Sequence, residues 1–321
     1  MQPLPVSLQA NPYAAHTESL IREWVSSRSI TQGSRILYTR TLRYFFAWTE
    51  AAGVALTDIT LRHIVAYRDV MQARGVSPLS IKSYLTSVKA FFSWAAANKY
   101  YPDVSRGVRP PKVQKDAIRR MPLTLEQTRA FLTYAQNQPP RDRAILTLLA
   151  HVGPRTIELS RANVEDLTHD GQSHILYLQR KGLTEKTDFV VITPEAYKPL
   201  RDYLASRGRP KGSDPLFTSE SRNGSKGARI STRSLSGVAK DALRAIGLDA
   251  RVYTAHSLRH TAITNLRRAG ATWEQAQAVA GHASLVTTQT HYGKISRMEE
   301  RLRDAPELLL DALYYPTKSN N

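Results

Sequence analysis

Cysteine is absent from this chain, which excludes a disulfide framework, a Cys-ligated zinc site, an iron–sulfur cluster and a thiol nucleophile. Acid is scarce. Only 27 Asp and Glu stand against 45 Lys and Arg, a formal net charge of +18 over 321 residues. Long hydrophobic runs are also missing. The most apolar stretch, around 144–152, is far short of the roughly 20 residues that a membrane span needs. The opening Met-Gln-Pro-Leu-Pro lacks the basic-then-apolar order of a secretory signal. No Gly-x-x-x-x-Gly-Lys-Ser/Thr and no His-Glu-x-x-His occurs, so neither a P-loop nucleotide site nor a zincin centre is supported. The expectation left is a soluble, cytoplasmic protein.

What is present narrows this further. A hydrophobic share of 41% with 8% aromatics suffices for packed cores. At roughly 100–200 residues per domain the length predicts two domains. Both halves are basic: residues 1–120 hold 17 Lys and Arg against 7 Asp and Glu, and residues 121–321 hold 28 against 20. An anionic membrane surface attracts such a field. Inside a cell, however, its commonest partner is nucleic acid, and two basic domains suit a protein that grips a duplex from two sides.

Residues 1–13 read as a tail and 14–100 as a helical unit. Ile81, Tyr84, Leu85, Val88, Phe91, Phe92 and Ala95 form a helical stripe behind a start at Pro78 and Ser80. A second stripe runs through Leu37, Thr41, Phe45 and Trp48. Segments 57–74, stopped at Gly75, and 17–29 complete a four-helix bundle. Residues 101–122, with three prolines before Met121, cannot continue a helix. They form a basic linker carrying Arg106, Arg109, Lys112, Lys115, Arg119 and Arg120 against Asp103 and Asp116. The linker reads either as an extended strap along a phosphate backbone or as a solvated hinge. A second domain, 123–297, opens with a capping box at Thr124 and Gln127. It continues through a turn at Gly153-Pro154 to two β-like runs at 173–178 and 187–192 that flank a hairpin tip. The fold class expected is mainly α with a small antiparallel β-sheet.

The chemistry-bearing residues follow in order. Gly153-Pro154-Arg155-Thr156-Ile157-Glu158 sits at a turn before a short helix, and Lys181 is on the hairpin tip. His256-Ser257-Leu258-Arg259-His260-Thr261 opens a helix, Gly281-His282 links two helices, and Thr290-His291-Tyr292-Gly293 follows. A phosphodiester transition state gathers negative charge, which a metal-free site must meet with side chains. Arginine does so with a planar fork that stays charged. Arg155 and Arg259 are the expected clamp, and His256 and Arg259, at i and i+3, share a helix face. Arg259 in its apolar surroundings also reads as a buried structural partner of Glu158. His256 and His260, at i and i+4, have a metal-ligand spacing, but no third ligand accompanies them.

In this order the set resembles the catalytic domain of the tyrosine site-specific recombinases, the phage integrase family, and the resemblance runs the length of the chain. It implies an N-terminal SAM-like core-binding bundle and an α+β catalytic domain. It implies strand cleavage and rejoining through a 3′-phosphotyrosine and a Holliday junction, with no cofactor, metal or ATP. Tyr292 would be the nucleophile, and its phenol needs help to lose a proton. His256 is the candidate base, and His282 a hydrogen-bond donor to the phosphate. Lys181 is the acid for the departing 5′ oxygen, with Lys186 in reserve. Glu158 and His260 would be supporting residues. The implied partner is a double-stranded DNA recombination site. A homotetramer would assemble on two such sites from free monomers in the nucleoid, with no membrane role. Residues 298–321 would form a C-terminal helix exchanged between subunits.

Two features depart from the family pattern. Pro154 stands where an aliphatic residue is commoner. His282 and Tyr292 are ten positions apart where many relatives have nine, so either the intervening loop absorbs the extra residue or the tyrosine is set back until partners assemble. A competing parse takes 271–291 as a helix-turn-helix with Thr287, Thr288 and Gln289 exposed to read bases, the pattern of a non-catalytic DNA binder. Arg155 and Lys181 lie outside that segment and would have no use in a repressor. A type IB topoisomerase shares the chemistry, but the compact N-terminal bundle favours a recombinase.

Overall fold

The structure, a computed structural model, describes residues 12–112, 121–180, 183–208, 210–221, 226–282, 284–289 and 292–293. Lys115, Arg119, Arg120, Lys181 and the expected C-terminal helix lie outside the described residues. The chain divides into two compact units, Met1–Ala117 and Ile118–Asn321.

The first unit is a helical bundle: α1 (Pro12–Ser26), α2 (Gln32–Ala51), α3 (Leu61–Ala73) and α4 (Pro78–Ala97), with a short 3₁₀ turn at Leu56–Asp58 before α3. The starts are chemically marked. Thr31 accepts from the Ser34 amide at the head of α2, and Ser77 caps α4 ahead of Pro78, each satisfying a backbone donor that the helix leaves orphaned. The apolar stripes close on an aromatic core. Trp24 meets Phe91 edge-on at 5.9 Å, Phe46 meets Phe91 at 5.3 Å, and Phe45 meets Tyr67 at 5.2 Å. Such edge-to-face pairs suit the ring quadrupole.

The beginning of the basic stretch does not run as an extended strap. Tyr101, Val104 and the buried Val108 pack on this aromatic core. The Val108 carbonyl accepts from Lys89 Nζ at 3.2 Å, and the Ser105 amide is turned onto Asp103 at 3.1 Å. Apolar residues four apart, Val104 and Val108, hold it down, while Arg106 points outward.

In the second unit α5 (Leu125–Gln136) and α6 (Pro140–His151) lead to α7 (Thr156–Arg161). A three-stranded sheet follows, β1 (Leu167–His169), β2 (His174–Leu178) and β3 (Asp188–Ile192), and then α8 (Pro194–Ser206), α9 (Thr232–Ala245), α10 (Ala255–Arg268) and α11 (Trp273–Ala280). The sheet is an antiparallel meander in the order β1-β2-β3, with Leu167 opposite Leu176 and Leu178 opposite Asp188. Helix α6 is buried continuously from Ala144 to Ala150, as a helix apolar on all sides must be. It packs against α5, α8, α9 and α10. Gly153 ends it with φ of +65°, and a Cβ there would sit 2.9 Å from Ala262 Cβ and 3.2 Å from Arg259 Cα. Only glycine allows α10 this close, and the contact brings Arg259 to the turn that carries Arg155.

Candidate active site

Arg155 is the residue that enters α7, and Glu158 lies one turn on. The Glu158 carboxylate accepts the Arg155 backbone N–H at 2.8 Å and its guanidinium at 2.7 Å. An acid at this position satisfies the helix start and aims the arginine at once. Glu158 has no exposed surface, so its charge must be met by buried donors. A second one arrives from the end of β2, where Arg180 Nη1 lies 3.3 Å from Glu158 Oε2.

Arg259 stands on α10 with 1% of its surface exposed. It does not pair with Glu158, as its apolar neighbours suggested. Its Nη1 donates to the Gly153 carbonyl at 2.7 Å, and its Nη2 donates to the Ala280 carbonyl at the end of α11. Burial pushes this guanidinium below its usual range and the charge of Arg155 adds to the push, against Tyr292 and Glu158. A cation so placed gains from any anion brought to it.

Arg155, His256 and Arg259 line one cleft of about 460 Å³ with Lys240 of α9, and none of the residues lining it is acidic. Tyr292 is not among them. It is 2% exposed, with its ring 4.9 Å from that of His260 and nearly parallel to that of His282 at 5.9 Å. His256 is one ring further away, 4.9 Å from His260. Burial pushes the Tyr292 phenol up, while Arg259, by charge and hydrogen bond, and then Arg155 hold it back. The ten-residue spacing therefore still brings Tyr292 beside His282. Among the described residues no group of three or more His, Asp or Glu side chains gathers in a metal-binding arrangement.

Thr288 is buried and shares a hydrogen bond of 3.0 Å with His282 Nδ1. This removes it from any base-reading surface, although Thr287 and Gln289 are exposed. Lys186, the reserve acid, is bound to Asp166 at 2.5 Å. In the basic stretch Arg106 is 87% exposed beside Asp103, Arg109 and Lys112 are exposed, and the Arg109 carbonyl accepts from Arg68. Sequence reasoning missed Arg180 and Lys240, and it placed Thr288 on an exposed base-reading face where the structure buries it against His282. Asp188, an acid opening a strand otherwise made of Phe, Val and Ile, was the one signal for a buried cation nearby.

Comparison with known proteins agrees with this arrangement of units. Residues 122–298 match the phage integrase family and residues 18–99 the phage integrase N-terminal SAM-like domain. The chain is 31% identical over 260 residues to tyrosine recombinase XerC of Corynebacterium efficiens, covering 78% of this chain and 79% of that one. It is 30% identical over 288 residues to tyrosine recombinase XerD of Mycobacterium tuberculosis, covering 82% and 88%. Among solved structures, the Tn1549 transposon integrase in complex with transposon right-end DNA superposes with a TM-score of 0.71 at 18% identity, over 89% of this chain and 99% of that one. The XerH recombinase bound to palindromic difH, a post-cleavage complex, gives 0.69 at 19% identity, over 92% and 85%. At these identities the two structures speak for the fold alone.

Proposed function

The chain belongs to the phage integrase family of tyrosine recombinases, enzymes of site-specific recombination, and on that premise we propose that it cuts and rejoins DNA through a 3′-phosphotyrosine on Tyr292. The observation that carries the reading is the acid-free cleft lined by Arg155, His256 and Arg259, with the buried Tyr292 beside Arg259. Relatives of the same fold have been captured on DNA, which supports a duplex as the partner.

In the proposed reaction the scissile phosphate enters the cleft, and Arg155 and Arg259 fork onto its non-bridging oxygens. The Tyr292 oxygen forms a bond to phosphorus as the bond to the 5′ oxygen breaks. The phenolic proton passes to His256, and Lys181 delivers a proton to the departing 5′ oxygen. His282 donates a hydrogen bond to a phosphate oxygen. The phosphoryl group stays esterified to Tyr292, so attack by a free 5′ hydroxyl rejoins the strand without ATP. The arginines supply the charge that a metal would otherwise bring. Glu158 and His260 support the clamp and the tyrosine ring. Tyr292 leaves its buried place when the protein assembles on DNA.

Two such exchanges pass through a Holliday junction, which calls for four subunits on two sites, recruited from free monomers in the cytoplasm at the nucleoid. Residues 298–321 dock in trans to couple assembly to Tyr292, and the basic residues Arg106, Arg109, Lys112, Lys115, Arg119 and Arg120 follow the phosphate backbone. Among the described residues no helix is long and apolar enough to cross a membrane.

The test is capture of covalent protein–DNA adducts from cells expressing the wild type or Tyr292→Phe, in the presence of a metal chelator, followed by sequencing of the attached DNA. Adducts at discrete sites with wild type alone are expected. Adducts that persist in Tyr292→Phe would place the nucleophile elsewhere. Tight DNA binding with no adduct from either protein would favour the repressor reading.

A further inference from the structure

Arg180 has no part in the reaction as proposed above, yet it is among the most deeply committed side chains of the second unit. It is 5% exposed and spends all three guanidinium nitrogens inside the protein. Nη1 lies 3.3 Å from Glu158, Nε donates to Asp188 Oδ2 at 2.6 Å, and Nη2 donates to the Val279 carbonyl at 3.4 Å. These partners come from α7, β3 and α11. Gly281, with φ of +54°, lies flat against it: a Cβ there would be 2.4 Å from Arg180 Nε and 2.5 Å from Cζ. The residue after Gly281 is His282, and the carbonyl before it, that of Ala280, is a partner of Arg259.

We propose that Arg180 is a positioning residue for the arginine clamp, a strut that fixes Glu158 behind Arg155 and the end of α11 behind Arg259 and His282. The inference rests on the reading of Arg155 and Arg259 as that clamp. A fork with three donors is needed because three elements must be held at fixed separations, which a single ammonium point cannot do. The strut also carries charge. Glu158 would otherwise be met by Arg155 alone, drawing that guanidinium fully into the protein. With Arg180 sharing the carboxylate, donors of Arg155 remain for a phosphate, and the buried cluster has three arginines against Glu158 and Asp188. Misaiming a clamp by about 1 Å costs on the order of 100-fold in rate.

The test uses the full-length chain and the duplex recovered from wild-type adducts, in single-turnover cleavage at saturating protein, with the duplex Kd measured alongside. A second duplex carries a methylphosphonate at the scissile position. That linkage is neutral, so the aim of an arginine clamp matters less on it. Arg180→Met is expected to bind the natural duplex within about threefold of wild type and to cleave it ~10–100-fold more slowly. On the methylphosphonate duplex its deficit should shrink to within about threefold, and Arg155→Ala should behave the same way. Wild-type cleavage by Arg180→Met, or an equal deficit on both duplexes, would overturn the positioning role while leaving the clamp intact. An Arg155→Ala protein that cleaves natural DNA normally would instead overturn the clamp itself. Should Arg180→Met fail to melt cooperatively, Arg180→Lys is read by the same criterion. It keeps the charge beside Glu158 but cannot also span Asp188 and the Val279 carbonyl.

Discussion

Replacing Glu158 by Gln keeps the shape of the side chain and removes its charge from a place with no exposed surface. Three donors converge there: the Arg155 amide at 2.8 Å, the Arg155 guanidinium at 2.7 Å and Arg180 Nη1 at 3.3 Å. The new amide has one acceptor oxygen, so its NH₂ group must face at least one of these donors. Breaking a buried ion pair by removing one partner costs about 3–5 kcal/mol, and the retained acceptor places this change near the lower end. In a unit running from Ile118 to Asn321, each kcal/mol moves Tm by about 2–4 °C. Glu158→Gln should therefore melt about 6–12 °C below wild type in calorimetry of the full-length chain. In a double-mutant cycle with Arg180→Met the two substitutions should couple by about 1–3 kcal/mol. A Tm within about 1 °C of wild type, or no coupling, would refute the idea that this carboxylate is the counter-charge on which both arginines rest.

Two further outcomes follow from particular side chains. Lys240 lines the arginine cleft, so Lys240→Ala should flatten the dependence of log Kd on log salt by about 0.9, the value of one phosphate contact, with cleavage at saturation within about twofold; an unchanged slope would remove Lys240 from the DNA path. In the first unit Glu18 joins α1 to α2 through a bidentate pair with Arg43 at 2.5 and 2.9 Å, and the Arg43 hydrogen bonds hold its carboxyl below the ordinary value of 4.5. A depressed folded pKa stabilises above the unfolded value, and the contribution is lost as pH falls through the folded one. With Glu18 27% and Arg43 57% exposed, Glu18→Gln should cost only about 0.5 kcal/mol at pH 7. The difference should shrink as pH falls below 4.5 in denaturant titrations, and a difference that stays constant into acid would contradict the pairing.

What could be read from the sequence was whatever repeats locally. The stripe through Ile81, Leu85, Val88 and Phe92 is the buried face of α4, and the Thr124–Gln127 box is formed at α5. The runs expected at 173–178 and 187–192 are β2 and β3, one residue shorter at their starts. Strand β1, of three residues, is too short to show a period. Arg155, His256 and Arg259, which line one cleft, could be singled out because their spacing from Gly153 and along α10 is a local pattern. Arg180 was not, because a cation next to Lys181 near a hairpin tip reads as surface. Its burial is decided by Glu158, 22 positions earlier, and by Gly281, 101 positions later, in a way no window of the sequence contains. Thr288 misled for the same reason: helical position alone offered it to solvent, and the His282 ring claimed it.

The separation in sequence of the groups that meet at the cleft also bears on biosynthesis. Arg259 reaches back 106 residues to the Gly153 carbonyl, Thr261 accepts the Leu123 amide across 138, and Arg180 waits 99 for the Val279 carbonyl. Contacts of this span form late, after the loops between them have closed. A chain still on the ribosome with α9 complete holds Arg155, Glu158 and the Gly153 carbonyl but lacks Arg259, the Ala280 carbonyl that is its other partner, and Tyr292. Domains fold as units during synthesis, so the cleft proposed to take the scissile phosphate cannot be complete before synthesis has passed α11 and Tyr292.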